Sequence, residues 1–120
     1  MKTPVAPPHI RLLNLLGAIR GLSPFDLMTA EEEELLRDLI VRWHAAEDIA
    51  VSEIMKNLAG VSETTAYRRL ISLRDKGLIH LRVDQADKRV KFVEPTKLAE
   101  DYAQRIHAAL EQLTGGAKTA

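Results

Sequence analysis

The spacing of apolar residues divides this chain into a long helical stretch, a short alternating stretch and a helical end. From His9 to about Leu22, the residues Ile10, Leu12, Leu13, Leu15, Leu16, Ala18, Ile19 and Leu22 point nearly all round a helix, interrupted by Arg11, Asn14 and Arg20. A helix apolar on most sides has to be covered on most sides. A chain of 120 residues has little body with which to do so, and a second subunit is the expected cover. Gly21-Leu22-Ser23-Pro24 breaks the pattern. Thr29 and Glu32 then have the spacing of a capping box. They open a helix whose inner stripe is Leu35, Leu36, Leu39, Ile40 and Trp43 and which ends near Ala46. The acidic run Glu31 to Glu34 falls in its first turns, where the helix dipole favours acids, so it is assigned no ligand. Ile49-Ala50-Val51 reads as a short extended piece. Ser52 caps a helix from Glu53 to about Leu58, with Ile54, Met55 and Leu58 facing in, and Ala59-Gly60-Val61 is a tight turn.

The next helix carries signals at both ends. Ser62 is its N-cap and Glu63 suits the positive end of the dipole, while Lys76 suits the negative end and Gly77 supplies the left-handed residue that stops it. Ala66, Leu70 and Leu73 share the inner face. Thr64, Arg68, Ser72 and Asp75 share the outer one, with Thr65, Tyr67 and Ile71 at its edges. Small polar side chains and an arginine are what a helix lying in a DNA major groove needs. Two short helices joined by a turn containing Gly make a helix-turn-helix, in which the second helix reads the groove.

After Gly77 the period changes to two. Leu78 to Val83 and Arg89 to Val93 read as strands, the second with Val90 and Phe92 on one face and Arg89 and Lys91 on the other, joined by the polar tip Asp84 to Lys88. This basic-tipped hairpin completes a winged helix-turn-helix. Lys88 or Arg89 can be carried by the wing into a minor groove or onto phosphates. Pro95 stops the strand, and Thr96 caps a last helix with Leu98, Tyr102, Ile106, Ala109, Leu110 and Leu113 along one stripe, ended by Gly115-Gly116. Its apolar side calls for the first helix as partner, from its own chain and from a second copy.

The expected fold is therefore mainly α with a small β-hairpin wing, a winged helix-turn-helix flanked by N- and C-terminal dimerisation helices. A flexible N-terminus covers residues 1–8, one domain covers 9–114, and a flexible tail covers 115–120. Within the domain the DNA-binding core is 29–94 and the dimerisation helices are 9–22 and 96–113. The dimerisation residues expected are Ile10, Leu13, Leu16, Ile19, Leu98, Tyr102, Ile106 and Leu110.

Composition narrows the chemistry. There is no cysteine, which removes disulfides, thiolate catalysis and cysteine-based zinc or redox sensing. No apolar run is long enough to span a membrane and no signal-peptide layout opens the chain, so a cytoplasmic protein is expected. The net charge is zero but unevenly spread. Residues 26–53 hold nine acids and two bases, while residues 61–93 hold eight bases and four acids. That separation suggests one basic working face. The histidines His9, His44, His80 and His107 are scattered, and His44 with Glu47 and Asp48 has nothing to complete a metal site. No nucleophile–base pair or phosphate loop is found. No enzyme activity, metal or cofactor is expected, and no effector is identified.

Several segments resemble the MarR family of bacterial transcription regulators. Val61-Ser62-Glu63-Thr64-Thr65-Ala66 is similar to the start of the family's reading helix. Leu73 and Asp75-Lys76-Gly77-Leu78-Ile79 are similar to its end. Asp87-Lys88-Arg89 matches the Asp-x-Arg of the wing, and Thr96 matches the threonine that opens the last helix. Arg69, Pro95 and Ala99 depart from the pattern, where an aliphatic residue, a leucine and a glycine are usual. The resemblance implies a homodimer on a palindromic duplex-DNA operator, with Arg89 entering the minor groove and Asp87 holding it. The DNA-binding residues expected are Ser62, Thr64, Thr65, Tyr67, Arg68, Ser72, Lys88 and Arg89. The competing reading is a winged-helix module that binds protein without specific DNA recognition.

Overall fold

A computed structural model of the protein describes residues 6–22 and 25–118. The expected flexibility of residues 1–5 and 119–120, and the Ser23-Pro24 part of the first break, lie outside the described residues. The elements follow in the order α1 (Pro8–Arg20), a 3₁₀ turn (Phe25–Leu27), α2 (Ala30–His44), α3 (Val51–Asn57), α4 (Glu63–Asp75), β1 (Ile79–Val83), β2 (Lys91–Pro95) and α5 (Lys97–Lys118). They form two compact units, Leu27–Glu100 and the paired chain ends Met1–Asp26 with Asp101–Ala120.

In the Leu27–Glu100 unit the capping box of α2 is complete. The Thr29 hydroxyl accepts from the Glu32 N–H, and the Glu32 carboxylate accepts from the Thr29 N–H, each at 3.1 Å. Leu35, Leu36 and Leu39 from α2 close on Ala66, Leu70 and Leu73 from α4, on Ile54 from α3 and on Leu78 and Val93 beside the hairpin, all buried. Each such leucine removed from water contributes about 1.5–3 kcal/mol. The helix-turn-helix thus forms because three amphipathic helices share one apolar centre. Arg42 ties α2 to α3 by ion pairs with Glu47 and Glu53. The Trp43 indole N–H donates to the Val93 carbonyl at 2.9 Å and ties α2 to β2.

Helix ends account for the turns. Gly77, at φ +80°, lets its N–H reach the Arg74 carbonyl while the Leu78 N–H reaches that of Leu73, closing α4. The same closure ends α2, where Ala46 rather than glycine takes φ 61° and the Glu47 N–H reaches the Arg42 carbonyl.

Two expectations are corrected, and the inner face of the hairpin is decided. Ser52 does not cap α3: the helix starts at Val51 behind Ala50, which has no side-chain cap bond. The reason is a third short rung on the hairpin, in which Ala50 bridges Phe92 and the Ile49 carbonyl accepts from Val93 N–H at 2.7 Å. In the hairpin the buried residue of β2 is Val93, opposite Leu81, whereas Phe92 pairs with Arg82 on the outer face. Its ring is covered by the Arg82 guanidinium 4.9 Å from the centroid. Gly115-Gly116 does not end α5, which runs on to Lys118.

In the unit of the chain ends, α1 runs beside the later turns of α5. The Phe25 and Tyr102 rings meet edge to face with centroids 4.9 Å apart, and Arg11 donates to the Gln112 carbonyl at 3.3 Å. Ile19 and Tyr102, expected at a subunit boundary, are buried within their own unit. Leu98 is half-buried in the Leu27–Glu100 unit, so it too serves the chain itself. Ile10, Leu13, Leu16 and Leu110 remain exposed and Ile106 is half-buried.

Candidate nucleic-acid interface

The start of α4 is arranged by its cap. The Ser62 hydroxyl accepts from the Thr65 N–H at 3.1 Å and donates to the Thr65 hydroxyl at 3.0 Å. The N–H groups of Glu63 and Thr64 are left at the open end of the helix, a geometry suited to an anion. Thr64, Tyr67 and Arg68 are exposed, and Thr65 is half-buried. Arg68 makes no ion pair or side-chain hydrogen bond among the described residues.

Ser72 does not belong with them. It is half-buried and its side chain lies near the Glu32 carboxylate, whose pKa it helps to lower, so it faces α2. Helical spacing puts it on the same side as Arg68, but α2 crosses that side one turn later. Arg69, which departs from the resembling family, is half-buried and lines a cavity of about 400 Å³ with Glu31, Glu34, Asp38 and the Leu58-Ala59 turn. Its charge is directed at the acidic face of α2 rather than outward.

On the wing, β2 begins two residues later than the alternation predicts, so Arg89 lies in the tip and not in the strand. Asp87 shapes that tip. Its Oδ1 accepts from the Arg89 N–H at 3.1 Å and from Nε at 3.0 Å, and its Oδ2 accepts from Nη2 at 3.1 Å. The fork of the guanidinium is matched by both carboxylate oxygens. Those side-chain bonds, and the backbone bond, hold the Asp87 carboxyl below its usual range and raise the Arg89 guanidinium. The arginine stays 91% exposed while so held. Lys88 is exposed beside it.

Other bases are spent inside the chain. Lys76 pairs with the buried Glu32. Arg82 pairs with Glu94 at 2.6 Å, a bond that raises the guanidinium further above its ordinary value. Arg74 pairs with its neighbour Asp75 at 3.3 Å. Sequence reasoning counted all three toward the basic face. The remote partners of Lys76 and Arg82, 44 and 12 residues away, are what offset those two charges, whereas Arg74 stays exposed beside exposed Asp75. Of the bases in residues 61–93, Arg68, Lys88, Lys91 and the Asp87-held Arg89 stay outward, as does Arg74 with Asp75 beside it. Of the imagined metal group, Glu47 is bonded to Arg42, and among the described residues no three His, Cys, Asp or Glu side chains gather as a metal would require. No described helix is long and apolar enough to cross a membrane.

This assembly of three helices, α2 to α4, and a hairpin is a winged helix-turn-helix, and it is the fold of MarR-family regulators. The heme sensor protein PefR from Streptococcus agalactiae, solved in complex with heme, matches with a TM-score of 0.60 and 20% identity over 93% of this chain and 74% of that one. Wild-type MarR from E. coli, in its apo form, matches with a TM-score of 0.51 and 23% identity over 95% and 87%. No family model and no curated protein matches the chain.

Proposed function

We propose that the protein is a transcription regulator that binds duplex DNA as a homodimer, with α4 in a major groove and the wing tip against the adjacent minor groove or its phosphates. The observation that carries this reading is the outward pair of basic projections: Arg68 without an internal ion pair, and Arg89 exposed yet oriented by Asp87. An arginine held in place loses less side-chain freedom on reaching DNA than a loose one, so the Asp87 clamp favours groove insertion over mere solvation. Ser62, Thr64, Thr65 and Tyr67 complete the reading end of α4, and Lys88 adds a phosphate contact. Ser72 is withdrawn from this set because it is half-buried on the side of α4 that faces Glu32.

The dimer reading is supported by the unit of the chain ends. Ile10, Leu13, Leu16, Leu22 and Leu110 are exposed there. A groove of about 500 Å³ between α1 and α5 is lined mainly by Leu15, Ala18, Ile19, Leu22, Ala108 and Ala109. Apolar surface on both sides of α1 is more than scattered surface hydrophobics account for. A two-fold dimer implies a palindromic site with half-sites about one helical turn apart.

Selection of bound duplexes from a random pool tests binding, symmetry and spacing together. Recovery of an inverted repeat supports the reading. Failure to retain any duplex at low salt overturns it and favours a protein-binding winged helix.

A further inference from the structure

Glu32 is the one buried charged residue among those described, 6% exposed. It closes the capping box at the start of α2, and the same carboxylate receives Lys76 from the end of α4, with the Ser72 side chain near it. A single side chain therefore joins the first turn of one helix to the last turn of the reading helix. Beside it, the Thr96 hydroxyl donates to the Gly77 carbonyl at 2.6 Å and accepts from the Ala99 N–H at 3.2 Å. The far end of α4 is thus pinned to two other elements by polar bonds. The reading end carries only its own cap.

We propose that Glu32 and Lys76 are positioning residues: without touching DNA, their pairing sets the angle at which α4 presents Arg68, and so governs discrimination between DNA sequences. The proposal rests on the DNA-binding reading above and names how that site is tuned. Leverage makes the pair consequential. Lys76 lies eight residues beyond Arg68 on α4, which is about 12 Å of helix rise, so a tilt of about 5° moves the arginine by about 1 Å. A hydrogen bond to a base edge tolerates only a few tenths of an ångström, whereas a contact to the phosphate backbone follows the charge and forgives such a shift. The pair should therefore act on sequence preference and leave general DNA affinity in place.

The probes are a duplex recovered by selection from a random pool and a scrambled duplex of equal length, each titrated at several salt concentrations. The proteins are full-length wild type, Lys76→Gln, Lys76→Arg, Glu32→Gln and the double variant Glu32→Gln/Lys76→Gln. Lys76→Gln leaves the capping box intact and provides the reading if Glu32→Gln does not fold. The expected result is a ratio of selected to scrambled affinity reduced about tenfold, within what one misplaced base contact costs. The salt slope on scrambled duplex should be unchanged. Lys76→Arg should restore the ratio, and the double variant should lose no more than either single one. The two single substitutions change the net charge in opposite directions, so a shared loss of preference cannot come from charge alone. An unchanged ratio overturns the proposal. So does a fall of about one unit in the slope for Lys76→Gln, which would make Lys76 a phosphate contact. Wild type binding neither duplex would instead sink the DNA reading itself.

Discussion

At the scale of single residues, backbone conformation and one buried charge dominate. Ala46 holds φ 61°, a region in which a Cβ costs about 1–2 kcal/mol. The bonds that end α2 require that turn, so the chain tolerates the strain. Ala46→Gly should stabilise the protein by about 1 kcal/mol net of glycine's extra entropy in the unfolded chain, read as a higher urea midpoint with an unchanged slope. Glu32 carries the opposite lesson. Burial pushes its carboxyl up, but bonds from Lys76, Ser72 and Thr29 outweigh burial and hold it below the usual 4.5. A lowered folded value means stability that is complete above about pH 4.5 and lost as the pH falls through the folded value. Glu32→Gln should cost about 1–3 kcal/mol at neutral pH. That difference from wild type should shrink below about pH 4.5 in denaturation curves measured across pH. A constant difference would mean that the charge of Glu32 contributes nothing.

At the scale of elements, the proposed function divides recognition between α4 and the wing. If Arg68 forks onto a guanine, Arg68→Ala should cost about 1–3 kcal/mol on the selected duplex and much less on scrambled DNA. Equal loss on both would reduce it to a phosphate contact. Arg89→Ala should weaken both and lower the salt slope by about one unit. A slope and affinity equal to wild type would remove the wing from the interface. Helix α4 was legible because its signals are local: Ser62 and Gly77 at the ends and Ala66, Leu70 and Leu73 at helical spacing bury as expected. The wing was legible in outline only. Alternation could not say that Val93 faces inward, because the rung from Ile49 and Ala50 that holds it there comes from a distant part of the sequence.

At the scale of the whole molecule, the proposed dimer is tested on α1. Leu13 is 62% exposed on α1, so Leu13→Glu should leave the fold of the single chain within about 0.5 kcal/mol of wild type. It should shift sedimentation equilibrium toward monomer at micromolar concentration, and affinity for a palindromic duplex should fall with it. A variant that remains a dimer would move the subunit boundary away from α1. The number of residues available to a partner is smaller than periodicity implied, since Ile19 and Tyr102 pack within their own chain.

What the residue order determined by itself was everything carried by near neighbours. The capping box of α2, the two ends of α4, the order of helices and hairpin and the Asp87-Lys88-Arg89 tip all depend on partners a few positions apart, whose geometry hardly varies once the local backbone is chosen. Tertiary structure alone decided which charges stay outward. Lys76 and Arg82 look as free in sequence as Arg68 does, but packing brings Glu32 under the end of α4 and Glu94 across from Arg82. A charge is available to a partner only if folding has not already supplied one, and that depends on contacts that no periodicity records.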